Sequence, residues 1–377
     1  MRKFYLPTFG SGLGHVTRVH ALAEKLKRPG DEFLYSSFEE GLDFFHAHGE
    51  RVYECPSIDL RWSDTGGFSS RGSFTRFPIA LLVFSKQVSF ERRMMSSFQP
   101  NMVICDSRLS GVFAACMRSY PVITILNQFK ILFPPRFRRS FLSREFENIE
   151  GNVLGLLWTL SDEVLMPDLP PPYTIGEANV TGTVPARRIR YVGFMTNSLD
   201  ADAASVAKAK SLLGLDNRPL VFIQISGPSA TKSRFVKASM EAGKILSKRY
   251  NVVVSLGQPE GSQLPVKLAN NLWMYEWCPI KNELLSIAQA VVSRAGHTTI
   301  SQCIDQAKPA VYVPIANHSE QLWNAIKCEA LGIGLKVTSE NLTDSTLVDS
   351  IESCLNSSEI RNSVEKLRSV SMRHRGI

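Results

Sequence analysis

Two histidines set beside glycine-rich turns carry the first chemical signal of this chain. His15 closes the segment Gly10-Ser11-Gly12-Leu13-Gly14-His15, and His297 sits within Ser293-Arg294-Ala295-Gly296-His297-Thr298-Thr299. Each segment follows a strand-like run and leads into a helical one. Glycine lets a turn approach a ligand with no Cβ in the way. The open N–H groups and dipole of a helix start then favour an anion. A helix start also disfavours an imidazolium, so His15 suits the removal of a proton from a hydroxyl nucleophile. The plain alternative is a helix-capping histidine. Around His297, backbone N–H groups and the hydroxyls of Thr298 and Thr299 could hold a pyrophosphate.

Three further segments end strand-like runs on polar residues. Asp106 follows Met102 to Cys105, at the sheet edge where the first turn lies. It could orient His15 or hold an acceptor hydroxyl, and it would be equally at home as a helix N-cap before Leu109. Ile225-Ser226-Gly227-Pro228-Ser229 offers a second phosphate-facing turn. Pro314 to Gln321 leads into a helix in which Glu320 and Gln321 present an acceptor and an amide, suited to sugar hydroxyls. Neither glycine turn ends in Gly-Lys-Ser/Thr, which excludes a nucleotide-triphosphate loop. No clean GxGxxG continuation or ribose-binding acid supports a dinucleotide oxidoreductase.

These residues need two sheets to position them. A chain of 377 residues exceeds the usual single-domain range. Strand-like runs at Phe4 to Phe9, Glu32 to Ser36, Met102 to Cys105 and Val122 to Leu126 alternate with helical periodicity at Val16 to Leu26, Gly41 to His48 and Leu109 to Met117. The same alternation resumes from Ala203 onward, so the fold class is α/β, with two Rossmann-like doubly wound domains. Arg190 to Met195 is the expected crossing. That places an N-terminal domain at 1–190 and a C-terminal domain at 191–357, with a last helix, 358–377, short of partners. The 7 cysteines have no CxxC spacing, which fits reduced thiols rather than disulfides or a zinc site. The basic start at Met1 to Pro7 is too short for a signal peptide and reads as the first strand.

The net charge of +8 is concentrated. Lys130, Arg136, Arg138, Arg139 and Arg144 interleave with Phe129, Phe133, Phe137 and Phe141, and no acidic residue intervenes. Arg76, Lys86, Arg92 and Arg93 fall among aromatic and aliphatic residues in a second stretch. Each reads either as a helix packed on its own domain or as a surface resting on anionic lipid headgroups, with Arg136, Arg138 and Arg139 at phosphate level and Phe133 and Phe137 inserted. Nucleic acid is the poorer partner, because no recognition motif accompanies the bases.

The ordered set Ser293 to Thr299, Pro314 and Glu320-Gln321-xx-Asn324-Ala325 resembles the GT-B glycosyltransferases. Within them it is most similar to the group holding the N-acetylglucosaminyltransferase of lipid II synthesis and the UDP-sugar transferases. The resemblance implies two domains facing each other across a cleft, with the last helix crossing back onto the first. It implies His15 as base on the acceptor side, with Gly12 and Gly14 in the acceptor-side loop. It implies Gly227, Ser229, Gly296, His297 and Thr298 around the donor diphosphate, Trp277 and Cys278 at the uracil edge, and Glu320 and Gln321 near the donor sugar. Gln302 stands where the family has a glutamate gripping the ribose hydroxyls; an amide can bridge them but loses the charge-assisted bonds. The implied reaction is an inverting transfer from a nucleoside-diphosphate sugar, with uridine as the expected nucleoside, to a hydroxyl of a lipid-linked acceptor. No cofactor and no metal is expected. The expected location is the cytoplasm, at the inner face of the cell membrane. A nucleotide-sugar 2-epimerase and a non-catalytic nucleotide-sugar-binding protein are the rival readings.

Overall fold

The computed structural model describes residues 1–11, 13–57, 77–130, 132–133, 138, 140–183, 187–195 and 201–374. Among these the chain divides into two compact units, one up to residue 195 together with His374, and one spanning 201–373.

The first unit is a seven-stranded parallel sheet. Its strands are β1 (Lys3–Pro7), β2 (Glu32–Ser37), β3 (Val52–Glu54), β4 (Met102–Asp106), β5 (Val122–Ile125), β6 (Glu163–Met166) and β7 (Ile189–Tyr191), in the order β3-β2-β1-β4-β5-β6-β7. Among the described residues five α-helices accompany it: α1 (Leu13–Leu26), α2 (Glu39–Ala47), α3 (Phe77–Phe98), α4 (Leu109–Cys116) and α5 (Phe141–Trp158). Side chains alternate across a strand, and β1 shows the result. Phe4 and Leu6 join Val16, Val19 and Phe45 in the core under α1 and α2. Tyr5 joins Met95, Phe98 and Val112 in the core under α3 and α4.

The second unit is a seven-stranded sheet in the order β10-β11-β9-β8-β12-β13-β14. Its strands are β8 (Leu220–Gln224), β9 (Asn251–Ser255), β10 (Val266–Ala269), β11 (Leu272–Tyr275), β12 (Ala290–Ser293), β13 (Ala310–Tyr312) and β14 (Gly334–Lys336). All neighbours are parallel except β10, an exposed antiparallel edge strand on β11. The helices are α6 (Ala203–Leu213), α7 (Ser233–Leu246), α8 (Lys281–Ile287), α9 (His297–Asp305), α10 (Ser319–Ala330), α11 (Asp344–Asn356) and α12 (Ser358–Arg373). The inner strands β8, β9 and β12 are almost wholly apolar and buried, as strands covered on both faces must be.

Two segments sit differently from their sequence reading. Strand β7 straddles the crossing expected at 190, and the N–H groups of Val192 and Gly193 continue its run beside β6 by donating to Met166 O and Asp168 O, both at 3.0 Å. The last helix, read as having few partners in the second domain, rests there on α9. It buries Val364, Leu367 and Val370, and Ser371 Oγ donates to Asp305 Oδ1 at 2.5 Å, at the end of α9.

Candidate active site

The first sheet reverses direction between β1 and β4, and ligands of open α/β sheets bind at the carboxyl ends of strands flanking such a reversal. The turn after β1 and the end of β4 meet there: Phe9 N donates to Asp106 O at 3.0 Å. Gly10 is the only residue type that fits its place, since a Cβ would stand 1.9 Å from Phe38 O. Helix α1 then places His15 in its first turn and Arg18 one turn further on the same face. Gly14 is half-buried at this helix start. Gly12 lies outside the described residues.

His15 Nδ1 is 2.7 Å from Asp106 Oδ1. Asp106 is fully buried and is gripped by Arg18, whose Nη2 donates to Oδ1 at 2.5 Å while its Nε bonds Oδ2. Arg18 Nη1 donates to Asn127 Oδ1 at 2.7 Å. Burial opposes the carboxylate charge, but Arg18 and then His15 outweigh it and hold Asp106 below the usual carboxylate range. An ionised oxygen at 2.7 Å settles the tautomer: Nδ1 carries the proton and donates, leaving the Nε2 lone pair to accept one. The 3.0 Å approach of Arg18 Nη2 to Nδ1 is then donor against donor, tolerated because both face the same carboxylate. Asp106 does not cap α4, whose N-cap position is Arg108.

A second buried network lies beside the first. Glu91 of α3 accepts from Arg108 Nη2 at 2.7 Å, from Ser36 Oγ at 3.1 Å and from the Tyr5 hydroxyl. Arg108 also donates to Cys55 Sγ at 2.7 Å and to Thr8 O at 3.3 Å. Burial pushes the Cys55 thiol up to about 12, so it offers no thiolate nucleophile near neutral pH.

The second sheet reverses between β8 and β12, which pair directly, with Gln224 opposite Ser293. Gly227, in the turn after β8, has φ +101°, a conformation L side chains rarely adopt. The turn after β12 ends on Gly296, the N-cap of α9, and no side chain caps that helix start. His297 is buried, while Thr298 is half-buried and Ser229 exposed. Arg294 ties the turns together. Its Nη2 donates to Thr231 O at 2.7 Å, its Nη1 to Val313 O at 3.0 Å, and its guanidinium lies 4.7 Å from the Phe235 ring centroid. Among the described residues it has no carboxylate partner, and burial brings it down to about 10. Lys232, lowered by burial and then by Arg294, donates to Gly257 O at 2.6 Å. Buried cations without acids around open helix N–H groups make an edge that would take an anion.

The other expected donor residues occupy this carboxyl edge or the helix behind it. Trp277 and Cys278 leave β11, and Gln302 is buried on α9. Glu320 and Gln321 open α10, where Gln321 Oε1 accepts from Ile315 N at 3.0 Å and so holds its own turn. The N-cap of α10 is His318, whose Nδ1 accepts from Gln321 N at 3.4 Å. Asp200-Ala201-Asp202 has the spacing of an acidic metal motif, but Asp202 caps α6 by accepting from Ser205 N at 2.7 Å. Of the basic-aromatic residues, Arg138 pairs with Glu147 at 2.9 Å and Phe133 is half-buried against Phe146. Lys130 is buried, donating to Thr181 O at 2.6 Å. Arg136, Phe137 and Arg139 lie outside the described residues. Sequence reasoning missed Arg18, Asn127 and the Glu91–Arg108 pair; only Arg18 left a signal, three positions after His15 on a helical stretch.

Comparison with known proteins agrees with this fold. Residues 222–373 match the glycosyltransferase family 28 C-terminal domain. An uncharacterized glycosyltransferase of Methanopyrus kandleri is 26% identical over 341 residues, covering 89% of this chain and 92% of the relative. The UDP-N-acetylglucosamine–N-acetylmuramyl-(pentapeptide) pyrophosphoryl-undecaprenol N-acetylglucosamine transferase of Clostridium tetani is 24% identical, covering 93% of this chain and 89% of its own. The calicheamicin glycosyltransferase CalG4 superposes with a TM-score of 0.68 at 15% identity, covering 100% of this chain and 95% of its own. The spinosyn rhamnosyltransferase SpnG, solved with thymidine diphosphate, also gives 0.68, at 16% identity, covering 99% and 96%. The chain is a glycosyltransferase of GT-B fold. It is similar over most of its length to the lipid II-forming N-acetylglucosaminyltransferases, and in fold to sugar transferases such as CalG4 and SpnG.

Proposed function

We propose that this enzyme transfers a sugar from a uridine-diphosphate donor to a hydroxyl of a lipid-linked acceptor, with His15 as the general base. The observation that carries the mechanism is the 2.7 Å contact of His15 Nδ1 with the buried Asp106, which leaves Nε2 as the proton acceptor. The acceptor oxygen loses its proton to Nε2 as it forms a bond to the anomeric carbon. The bond from that carbon to the diphosphate oxygen breaks on the opposite face, inverting the centre. Charge builds on the leaving diphosphate, and the turns at Gly227 and Gly296, with His297 and Thr298, are suited to receive it. Asp106 orients the base, and Arg18 holds Asp106. Trp277 and Cys278 take the uracil, Gln302 the ribose, and Glu320 and Gln321 the sugar. No metal is assigned a step. In this reading residues 1–190 serve the acceptor and 191–357 the donor.

The lipid-linked acceptor draws support from the Clostridium tetani relative, whose substrate is an undecaprenol derivative, and from the outer face of α3. Ile79, Leu81 and Leu82 are exposed there, and Lys86, Arg92, Arg93 and Arg118 line a cavity of about 540 Å³. The one acid of α3, Glu91, is buried, so this face is cationic and apolar, as contact with an anionic bilayer requires. That contact would place the enzyme at the inner face of the membrane.

The test is turnover of UDP-sugars by the purified protein with lipid extracts, followed by product analysis. Transfer that falls at least a hundredfold in His15→Ala supports the base assignment; unchanged transfer sinks it. Conversion of the donor to its 2-epimer without acceptor would replace the transferase reading, and donor binding without any turnover would favour a sensor.

A further inference from the structure

Helix α5 carries an apolar stripe that the described residues of its own domain leave largely uncovered, Phe133 alone stacking on its Phe146. It packs inward through Glu147, Gly151, Gly155 and Trp158, and so closely that a Cβ at Gly151 would stand 2.6 Å from Lys130 Cβ. On the opposite side Leu142, Phe146, Ile149, Val153 and Leu156 are exposed, and Leu160 continues the row just past the helix end, all between 50% and 77%. Their spacing runs four, three, four, three, four. That is the a/d seam of a heptad pattern, a narrow stripe shaped for another helix.

The border of the stripe separates it from the α3 face. The exposed charges on α5 are Arg144 and Glu145, with Glu150 half-buried, and Arg144 is the helix's one cation. A helix lying on an anionic surface has lysine and arginine along its polar border; this one carries more acid than base. The seam is also self-complementary. Turned about a point beside residue 151, it sets Leu142 against Leu160, Phe146 against Leu156 and Ile149 against Val153, with no two like charges directly opposed. Six such side chains offer on the order of 500 Å² per copy, about 1,000 Å² for a pair, which reaches the lower bound of a specific interface.

We propose that α5 is a homodimer interface, on which the α5 of a second copy lies antiparallel about a twofold axis. The proposal is independent of the substrates assigned above. Light scattering and sedimentation of the full chain over 1–50 μM test it, together with Ile149→Lys, Val153→Glu and the double variant. These positions are exposed, so the variants fold, which circular dichroism checks. A reversible dimer in the unaltered protein is expected, weakened at least tenfold by either single change. The double variant, in which each lysine meets a glutamate of the second copy, should recover it. A monomer throughout, a dimer indifferent to the single changes, or no recovery in the double variant each overturns the arrangement. Flotation with phosphatidylglycerol-containing vesicles separates the other occupant: binding by a monomer, abolished by Ile149→Lys, would assign the stripe to lipid instead.

Discussion

Asp106 serves Arg18 and His15 at once, and its removal should therefore show in two measurements. In Asp106→Asn the amide cannot hold His15 in its Nδ1–H tautomer, so kcat should fall by about 10²–10⁴ with KM little changed. Arg18 meanwhile becomes a buried cation without its partner, and stability should drop by roughly 3 kcal/mol in urea titration. The pH dependence has a definite sign. The carboxylate is held below its unfolded value, so its contribution is complete above about pH 4 and is lost as the pH falls through the folded value. Acid unfolding of the unaltered protein should be steeper there than that of Asp106→Asn; equal slopes would mean that Asp106 is not the group responsible. Gln302 allows the opposite experiment. Restoring a carboxylate with Gln302→Glu should tighten uridine-diphosphate binding by about fivefold, near 1 kcal/mol, in calorimetry if a ribose lies there.

At the scale of elements, Arg294 decides how the turns after β8, β12 and β13 stand relative to one another. Arg294→Met keeps much of the packing on Phe235 but frees the carbonyls of Thr231 and Val313. Stability should fall by only about 1–2 kcal/mol, because the loss of two hydrogen bonds is offset by relief of a buried, unpaired charge. Nucleotide binding should fall far more, at least tenfold. Equal losses in both would reduce Arg294 to a structural prop. Elements of this kind were only partly legible beforehand. Inner strands such as β8 and β12 announce themselves as apolar runs, and the glycine turns mark their ends. Arg294 was visible as a residue, but its reach to carbonyls 63 and 19 positions away was not. Glu91 and Arg108 were less legible still, since a buried ion pair joins residue types that ordinarily signal surface. The basic stretch from Lys130 left packing and lipid contact both open for the same reason, and two of its cations turn inward to Thr181 and Glu147.

For the molecule as a whole, two units with separate cores should respond separately to ligand. Uridine diphosphate at a hundredfold excess over its Kd should stabilise the unit that binds it by about 2.7 kcal/mol. Calorimetry should then show one transition displaced upward and the other unmoved; a common shift of a single transition would mean that the units unfold together. The two-unit plan was readable from length and from alternating periodicities, but the placement of the last helix was not. Periodicity shows that α12 has an apolar face, while its seat on α9 depends on Asp305 and Ser371, a pairing across 66 residues.

The Glu91 network has a mechanical meaning for that plan. From the middle of α3 one carboxylate is bonded to β1 through Tyr5 and to β2 through Ser36, and Arg108 links it to the residue just past β3 and to the segment leaving β4. The helix is pinned like the stem of a gauge to the frame that holds His15 and Asp106. A load on its outer side at Ile79, Leu81 and Leu82 is thereby carried through one carboxylate into β1 and β2.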